Sequence, residues 1–298
     1  MTRTTMRNGT RNVLTLAAVA MAALVLTTTM ANAATIYFDA DFNGTVAVDV
    51  GDGTYGAQIT ATNLNAGTAI GTWTVNQAQP APTEKRVRQI QTAGGANVSE
   101  KVLRFGISIE GSTGTNTPSL TANLASGLDL SNPINVSLDY ASASGDTSNR
   151  RSYLTGLDAS GDRLFQLAFN NSSNGHQMGY IDSSGALTMI GSVGDLDGNN
   201  QATWNPNLMK TVSVDIGAST YDISLAGSSL ATGVAFRDIG ADGLASLAIS
   251  SRTKWTGGYF DNLTVTADNP VVPEPATMCA LGLAISGLGG YVRKRRRP

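Results

Sequence analysis

Apolar and polar residues alternate along most of the middle of this 298-residue chain. In residues 35–42, Ile36, Phe38, Ala40 and Phe42 are separated by mostly polar neighbours. The same period of two recurs in five further stretches: 103–110, 134–140, 165–169, 212–216 and 221–225. A strand with one buried face requires this alternation, whereas an amphipathic helix requires a period near 3.6 residues. The pattern therefore predicts β-strands, and no stretch of about a dozen residues favours a helix.

Clusters of Asp, Ser and Gly separate these stretches. They occur at residues 158–162, 182–185, 217–220 and 226–229, in a region where turns recur about every ten residues. Such spacing is typical of successive antiparallel strands joined by hairpins. We therefore expect an all-β fold, a two-sheet antiparallel β-sandwich that forms one domain over residues 34–267.

The N-terminal residues have the organisation of a targeting segment. A basic stretch precedes the apolar residues Val13–Leu26, and Ala31-Asn32-Ala33 follows them. A helix of this apolar length spans about 21 Å, which is less than a bilayer core of about 30 Å. Residues 1–33 are thus predicted to be a signal peptide that is cleaved between Ala33 and Ala34, the alternative being a transmembrane anchor.

The C-terminal residues predict a second membrane segment. A Pro-rich linker at 268–275 precedes an uncharged stretch at 276–292, and a basic tail at 293–298 follows. As a helix, the uncharged stretch would span about 26 Å, close to the bilayer core. We expect it to be a transmembrane helix with the tail in the cytoplasm, by the positive-inside rule. Both termini then place the sandwich outside the cytoplasm.

Charge and rare residues exclude several classes of function. Residues 34–272 contain twelve Lys and Arg but 21 Asp and Glu, a net charge of −9. Such a domain would repel nucleic acid. The chain has one Cys and one His, so it cannot form a disulfide framework or a site that needs several cysteines or two histidines. The one histidine, His176, follows a run of Asn, Ser and Gly and is expected in a solvated loop.

The C-terminal pattern resembles a known sorting signal. The sequence VPEPATM, a short helix rich in Gly, Ala and Leu, and a terminal Arg cluster are similar to the PEP-CTERM signal of Gram-negative bacteria. The resemblance implies that Pro273, Glu274 and Pro275 form the motif read by an exosortase, a membrane transpeptidase. It also implies an exported protein that passes through an inner-membrane-anchored intermediate to the cell surface or extracellular matrix, in cells that produce exopolysaccharide.

The order of hairpins after Tyr153 resembles a second family. The stretches LTGLDASGDRLFQLAF and MGYIDSSGALTMI, the strand pair at 212–225 and the final YFDNLTVT are similar to concanavalin A-like and laminin-G-like jelly rolls. That resemblance implies a two-sheet jelly roll, often with bound carbohydrate and sometimes with calcium.

One candidate metal site joins the first and last strands. Asp39 and Asp41 lie on the polar side of the first, and Asp261 lies on the apolar side of the last. Because the ends of a jelly roll are often neighbours, these carboxylates are predicted to hold Ca²⁺, a cation that prefers oxygen ligands. A hydrogen-bonded core aspartate is the alternative for Asp261.

Carbohydrate recognition would need exposed aromatic side chains. Trp204 and Trp255 have loop-like neighbours and are the candidates for stacking on sugar rings, although buried tryptophans are common. Trp73 alternates with threonines and is expected in the core. Four cations, Arg150, Arg151, Arg252 and Lys254, would suit an anionic polysaccharide, or they lie solvated at strand ends.

No pair of carboxylates marks a catalytic centre, so we predict no catalytic residue. The sequence favours a non-enzymatic protein that is associated with exopolysaccharide, either structural or carbohydrate-binding. The alternative is a secreted glycoside hydrolase or lyase on the same fold. Exposed aromatic residues beside carboxylates on a sheet face would favour a glycan groove, and a smooth Ser/Thr face would favour a surface coat.

Overall fold

The computed structural model describes residues 34–42, 61–75, 83–91, 97–107, 119–142, 150–172, 175–195, 209–251 and 257–268. Residues 34–268 form one compact unit. The signal segment, the Pro-rich linker beyond residue 268 and the C-terminal segment lie outside the described residues. Within the described ranges, no helix has the length and apolar character needed to cross a membrane.

Two sheets form a β-sandwich, as the alternation predicts. Sheet A has ten described strands: β1 (Ala34–Ala40), β2 (Thr68–Ile70), β4 (Thr83–Gln91), β5 (Asn97–Ile107), β7 (Ile134–Ser142), β12 (Gly194–Asp195), β13 (Lys210–Ile216), β14 (Thr220–Leu225), β15 (Ser228–Ala235) and β17 (Gly257–Asp268). Sheet B has seven: β3 (Thr72–Val75), β6 (Ser119–Asp129), β8 (Arg150–Leu157), β9 (Arg163–Ser172), β10 (Gly175–Ile181), β11 (Leu187–Ser192) and β16 (Gly243–Ser251). One short helix, α1 (Ala61–Ala66), precedes β2.

The strand order brings distant parts of the chain together. The main path of sheet A runs β15-β14-β13-β7-β17-β1-β2, and sheet B runs β11-β10-β9-β8-β16-β6-β3. The first and last strands, β1 and β17, are antiparallel neighbours, as the sequence predicts. Among the strands that the structure describes, pairing is antiparallel except between β12 and β7.

Aromatic side chains from both sheets meet in the core. The rings of Tyr140 in β7 and Phe169 in β9 stack with centroids 3.9 Å apart, and Phe260 in β17 contacts both edge-on. All three side chains are at most 1% exposed. Trp73 is also buried, as predicted, and packs edge-on against Phe38 at 5.4 Å. These contacts hold the two sheets face to face.

Two hairpin turns in sheet B use the same chemistry. Asp158 Oδ1 accepts hydrogen bonds from the backbone N–H groups two and four residues later, at Ser160 and Asp162. In the next hairpin, Asp182 accepts from Ser184 and Ala186 in the same way. Each turn also has a glycine at positive φ, Gly161 in the first and Gly185 in the second. Glycine adopts this conformation at little energetic cost because it has no side chain. These turns and residues 217–219 lie at one end of the sandwich, which we call the turn end.

Removing either turn aspartate is expected to weaken the fold, and to different extents. Asp158 is 4% exposed, so Asp158→Ala leaves two N–H groups without an acceptor and should cost about 1–3 kcal/mol of unfolding free energy. Asp182→Ala should cost less, because Asp182 is only half-buried and water can replace it as the acceptor of its exposed hydrogen bonds. Urea unfolding of the full chain measures both. Equal losses would contradict the role of burial.

The contribution of Asp182 should also depend on pH. Hydrogen bonds, first from the Ser184 side chain and then from the Ala186 backbone, lower the pKa of Asp182 below its usual value. A lowered folded-state pKa stabilises the protein above the unfolded pKa, and this contribution disappears as the pH falls through the folded value. Wild type and Asp182→Ala should therefore differ in stability at pH 7 and converge below about pH 4. A gap that stays constant down to pH 2 would refute this assignment.

Candidate functional site

The outer face of sheet B is the most distinctive surface of the sandwich. Buried residues alternate with outward ones along β6, β16, β8, β9 and β10. The outward side chains are mostly hydroxyls and amides: Thr72, Thr74, Ser119, Thr121, Asn123, Arg151, Tyr153, Thr155, Gln166, Gln177, Ser246 and Ser250. We call these twelve residues the hydroxyl face.

Acidic residues are almost absent from sheet B. Among its seven described strands, the one carboxylate belongs to Asp129, the last residue of β6, while Arg150, Arg151 and Arg163 supply three positive charges. The described strands of sheet A instead contain nine carboxylates and six cations, a net charge of −3, whereas those of sheet B have a net charge of +2. The carboxylates of sheet A belong to Asp39, Glu84, Glu100, Asp139, Asp195, Asp215, Asp222, Asp261 and Asp268, and its cations to Lys85, Arg86, Arg88, Lys101, Arg104 and Lys210. The negative charge of the domain is therefore unevenly divided between its sheets.

One cross-strand row shows how the hydroxyl face is sheltered. Thr74, Thr121, Ala248, Thr155 and Gln166 are successive partners on β3, β6, β16, β8 and β9. Exposure falls from the edge, where Thr74 is exposed, to the centre, where Thr155 is 5% exposed. The Gln166 amide donates to Thr155 Oγ1 at 3.3 Å. The row is thus polar except at Ala248, and it is most protected at Thr155.

Arg151 lies near the end of this face that is opposite the turn end. Its register partner across to β9 is Asn170, and Tyr153 follows it two residues along the same side of β8. The Nε atom of Arg151 is buried and has no hydrogen-bond partner among the described residues. A buried donor without an acceptor is costly, so an acceptor supplied from outside would be favoured at this position.

The outer face of sheet A satisfies its carboxylates internally. Asp139 Oδ1 accepts from Thr211 at 2.6 Å, and its Oδ2 accepts from Asn262 at 2.8 Å. Asp215 Oδ1 accepts from the Asn135 amide at 2.6 Å. These oxygens therefore already have partners within the sheet.

The aspartates predicted to hold calcium lie around β1 and β17. Asp39 pairs in register with Thr264, and Asp41 is exposed just after β1. Asp261 is 2% exposed, and its Oδ1 accepts from the backbone of Asn262 at 2.9 Å. A bulge between Asp261 and Thr264 reverses the alternation there, which the sequence pattern did not reveal. No group of three His, Cys, Asp or Glu in the described ranges is arranged to hold a metal ion, and the calcium site stays a prediction.

The remaining predicted site residues lie outside the described residues. These are the sugar-stacking candidates Trp204 and Trp255, the sorting motif Pro273, Glu274 and Pro275, and Ala33 of the predicted cleavage site. Ala34, the other cleavage residue, is the first residue of β1. Their predicted roles stay predictions.

The sequence predicted that His176 lies in a loop, and this prediction is wrong. His176 is the second residue of β10, and its Nδ1 lies 2.9 Å from the Oγ of Ser142, the last residue of β7. Ser142 is fully buried. The imidazole of His176, a residue of sheet B, is thus held by Ser142 of sheet A. This contact lies at the end of the sandwich away from the turn end. Its polar neighbours in sequence suggested a loop, and only the pairing of β10 with β9 reveals the strand.

Comparison with known proteins gives one match in sequence. Residues 271–297 match the family model described as the PEP-CTERM protein-sorting motif. No curated protein matches the chain in sequence. The chain therefore carries a PEP-CTERM sorting motif, which indicates an exported protein with a membrane-anchored intermediate.

Several solved structures resemble the chain in fold. A sialidase is 8% identical with a TM-score of 0.49, the match covering 78% of this chain and 18% of that one. The alginate lyase AlgAT5 from Polysaccharide Lyase family 7 is 10% identical with a TM-score of 0.42, covering 78% and 95%. The Crh5 transglycosylase is 13% identical with a TM-score of 0.41, covering 81% and 87%. The chain spans about 18% of the length of that sialidase.

The bulge beside Asp261 gives a test of local geometry. Asn262 has φ +48, and its side chain donates to Asp139. Asn262→Ala removes that bond and places a less suited residue at positive φ, so it should cost about 1–2 kcal/mol of unfolding free energy. Asn262→Gly relieves the backbone and should cost less. Chemical unfolding of both variants measures the difference, and a glycine variant weaker than the alanine variant would contradict the geometry.

Proposed function

We propose that this protein is a non-enzymatic component of the cell surface or extracellular matrix that associates with exopolysaccharide through the hydroxyl face. The observation that carries the proposal is the near absence of carboxylates from the strands of sheet B. Export, which the sorting motif indicates, brings the sandwich to the compartment where such polymers occur.

The charge distribution favours one orientation toward an anionic polymer. The described strands of sheet A have a net charge of −3, from nine carboxylates and six cations, while those of sheet B have a net charge of +2, from three arginines and one aspartate, so a polyanion is attracted to sheet B more than to sheet A. Hydroxyl and amide groups can donate to and accept from the hydroxyls of a sugar chain. Arg151 adds an Nε donor that has no hydrogen-bond partner in the described part of the chain, and an arginine is well suited to a sugar carboxylate.

The composition of the hydroxyl face supports association along a surface more than enclosure of a short ligand. Tyr153 is its one aromatic residue and is half-buried. A glycan groove would have aromatic residues beside carboxylates, whereas a smooth Ser/Thr face favours a surface coat. Weak contacts repeated along a polymer give useful retention, because linked binding events raise the effective concentration.

A new negative charge should weaken polysaccharide binding when it lies on the hydroxyl face, but not when it lies on the outer face of sheet A. Ser250 on the hydroxyl face and Ser137 on the outer face of sheet A are both half-buried strand residues. Ser250→Asp removes a hydroxyl and repels an anionic polymer, so cosedimentation of the full chain with its cognate exopolysaccharide should weaken at least about 5-fold. Ser137→Asp is the matched control and should sediment as wild type does. Equal effects of the two variants would contradict the proposed surface.

Release from the membrane should depend on the sorting motif. Glu274→Ala alters the motif that the exosortase is inferred to read and should leave the protein in the membrane fraction with its tail intact. Wild-type protein from the cell surface should lack the tail. Mass spectrometry of both forms measures this, and a tail retained in the mature wild-type protein would argue against processing at this site.

A polysaccharide-active enzyme is the second candidate, and His176 is the observation that favours it. General acid–base catalysis needs an imidazole that is held in place, and Ser142 holds this one. If the protein were an enzyme, incubation with polysaccharide would release products, and His176→Ala would stop the release. We expect no product from wild type.

A further inference from the structure

A second polar site lies at the turn end, away from the hydroxyl face. The segment after β15 crosses to sheet B, where the N–H groups of Arg237 and Asp238 donate to the carbonyls of Leu164 and Arg163, each at 2.9 Å. This places Arg237 beside the turn between β10 and β11. A Cβ built on Gly185 of that turn would lie 3.8 Å from Arg237 Nη2. Gly185 is exposed and Arg237 is half-buried, so this part of the turn end borders on solvent.

The guanidinium of Arg237 has no hydrogen bond in the described part of the chain. Its Nε and Nη1 atoms are buried and unsatisfied. Its neighbour Arg163 shows the alternative, because Arg163 Nε and Nη2 donate to the two oxygens of Asp238 at 2.8 and 3.0 Å. The Nε and Nη2 of Arg237 form the same kind of fork and have no carboxylate. A planar fork of this kind matches a carboxylate.

Tyr221 supplies a second unsatisfied donor. Its hydroxyl is buried and has no hydrogen-bond partner among the described residues. Burial raises the pKa of Tyr221. The phenol therefore stays protonated at neutral pH and can donate. The Tyr221 ring centroid lies 6.0 Å from that of Phe165, and the carbonyl of the preceding residue, Leu164, accepts from the Arg237 N–H, so both donors lie in the same part of the turn end. Tyr180 lies edge-on to Tyr221 with ring centroids 6.5 Å apart and is half-buried.

The surrounding charges limit the ligand to a single negative charge. Arg163 is neutralised by Asp238. Asp182, which also interacts with Arg237, has its Oδ1 occupied by its own turn. Arg237 is thus the cation of this group that has no hydrogen bond to a carboxylate. Because Asp162 and Asp182 leave the group without a net positive charge, a ligand with one negative charge is repelled less than a dianion.

We propose that Arg237 and Tyr221 form a carboxylate-binding site at the turn end, and that its ligand is the carboxylate of a uronic acid. The two unsatisfied donors assign the carboxylate, and the half-buried ring of Tyr180 provides an apolar surface for a sugar ring. The choice of a sugar acid rests on the proposed association with exopolysaccharide. The choice of a carboxylate does not.

Calorimetric titration of the full chain in detergent tests the site, with sodium glucuronate as the probe. Wild type should bind glucuronate saturably and should not bind glucose, its uncharged match. Arg237→Gln should weaken binding at least about 10-fold, the loss expected for hydrogen bonds to a charged group. Tyr221→Phe keeps the ring, removes the hydroxyl and should weaken binding about 2- to 10-fold.

A matched control and two competing probes decide the result. Lys210→Gln removes a cation whose Nζ donates to the Ser192 carbonyl at 2.9 Å, toward the opposite end, and should bind glucuronate as wild type does. Thermal unfolding without ligand should show Arg237→Gln at least as stable as wild type, because no hydrogen bond is lost. Absence of saturable binding, an unaffected Arg237→Gln variant or tighter binding of sulfate would overturn the carboxylate site.

A separate comparison of probes tests whether the ligand is a sugar acid. Tighter binding of acetyl-glycyl-glycine than of glucuronate would replace the uronic acid with a peptide carboxylate. Glucuronate binding that depends on Arg237 in a protein that does not cosediment with exopolysaccharide would uphold this site and overturn the proposed function.

Discussion

The sandwich depends on the burial of every second side chain between two sheets. Tyr140, Phe169 and Phe260 come from three strands that are far apart in sequence, and their rings meet in one cluster in the core. Burying a large aromatic side chain stabilises a fold by a few kcal/mol, and pairs of rings add to this. Because the inner positions must be apolar, the residues between them are left free to vary. The polar residues that could bind a ligand therefore lie on the outer faces and at the ends of the sandwich.

The two outer faces use this freedom differently. Sheet A places aspartates among Ser, Thr and Asn and satisfies several of them with cross-strand hydrogen bonds, such as those of Asp139 and Asp215. The strands of sheet B carry hydroxyls and amides with one terminal carboxylate. Since like charges on one face repel a polyanion over roughly a Debye length of 8 Å, the division gives the domain one face that an acidic polymer can approach.

Two unsatisfied arginine donors among the described residues lie toward opposite ends of the sandwich. Arg151 Nε is near one end, and the guanidinium of Arg237 is at the turn end. Leaving such groups buried without an acceptor lowers stability, and most buried polar groups in proteins are paired. Both positions can gain an acceptor from outside the chain. An exported protein that meets acidic polymers would encounter such acceptors, which connects the sorting signal to the charge pattern of the sandwich.

The sequence by itself determined the strand character, the turns and the C-terminal sorting motif. Alternation reports burial of one face residue by residue, and the Asp-x-Ser-Gly turns close through contacts within five residues, so both can be read locally. The neighbouring positions of β1 and β17 followed from the expected jelly roll. The tertiary structure alone decided the order of strands, and with it the gathering of carboxylates on sheet A. It also placed His176 in a strand against Ser142, introduced the bulge after Asp261 and brought Arg237 next to Tyr221. Each of these depends on pairing between segments that are well separated in the chain, such as Asn135 with Asp215, and a two-residue period carries no information about which strands pair.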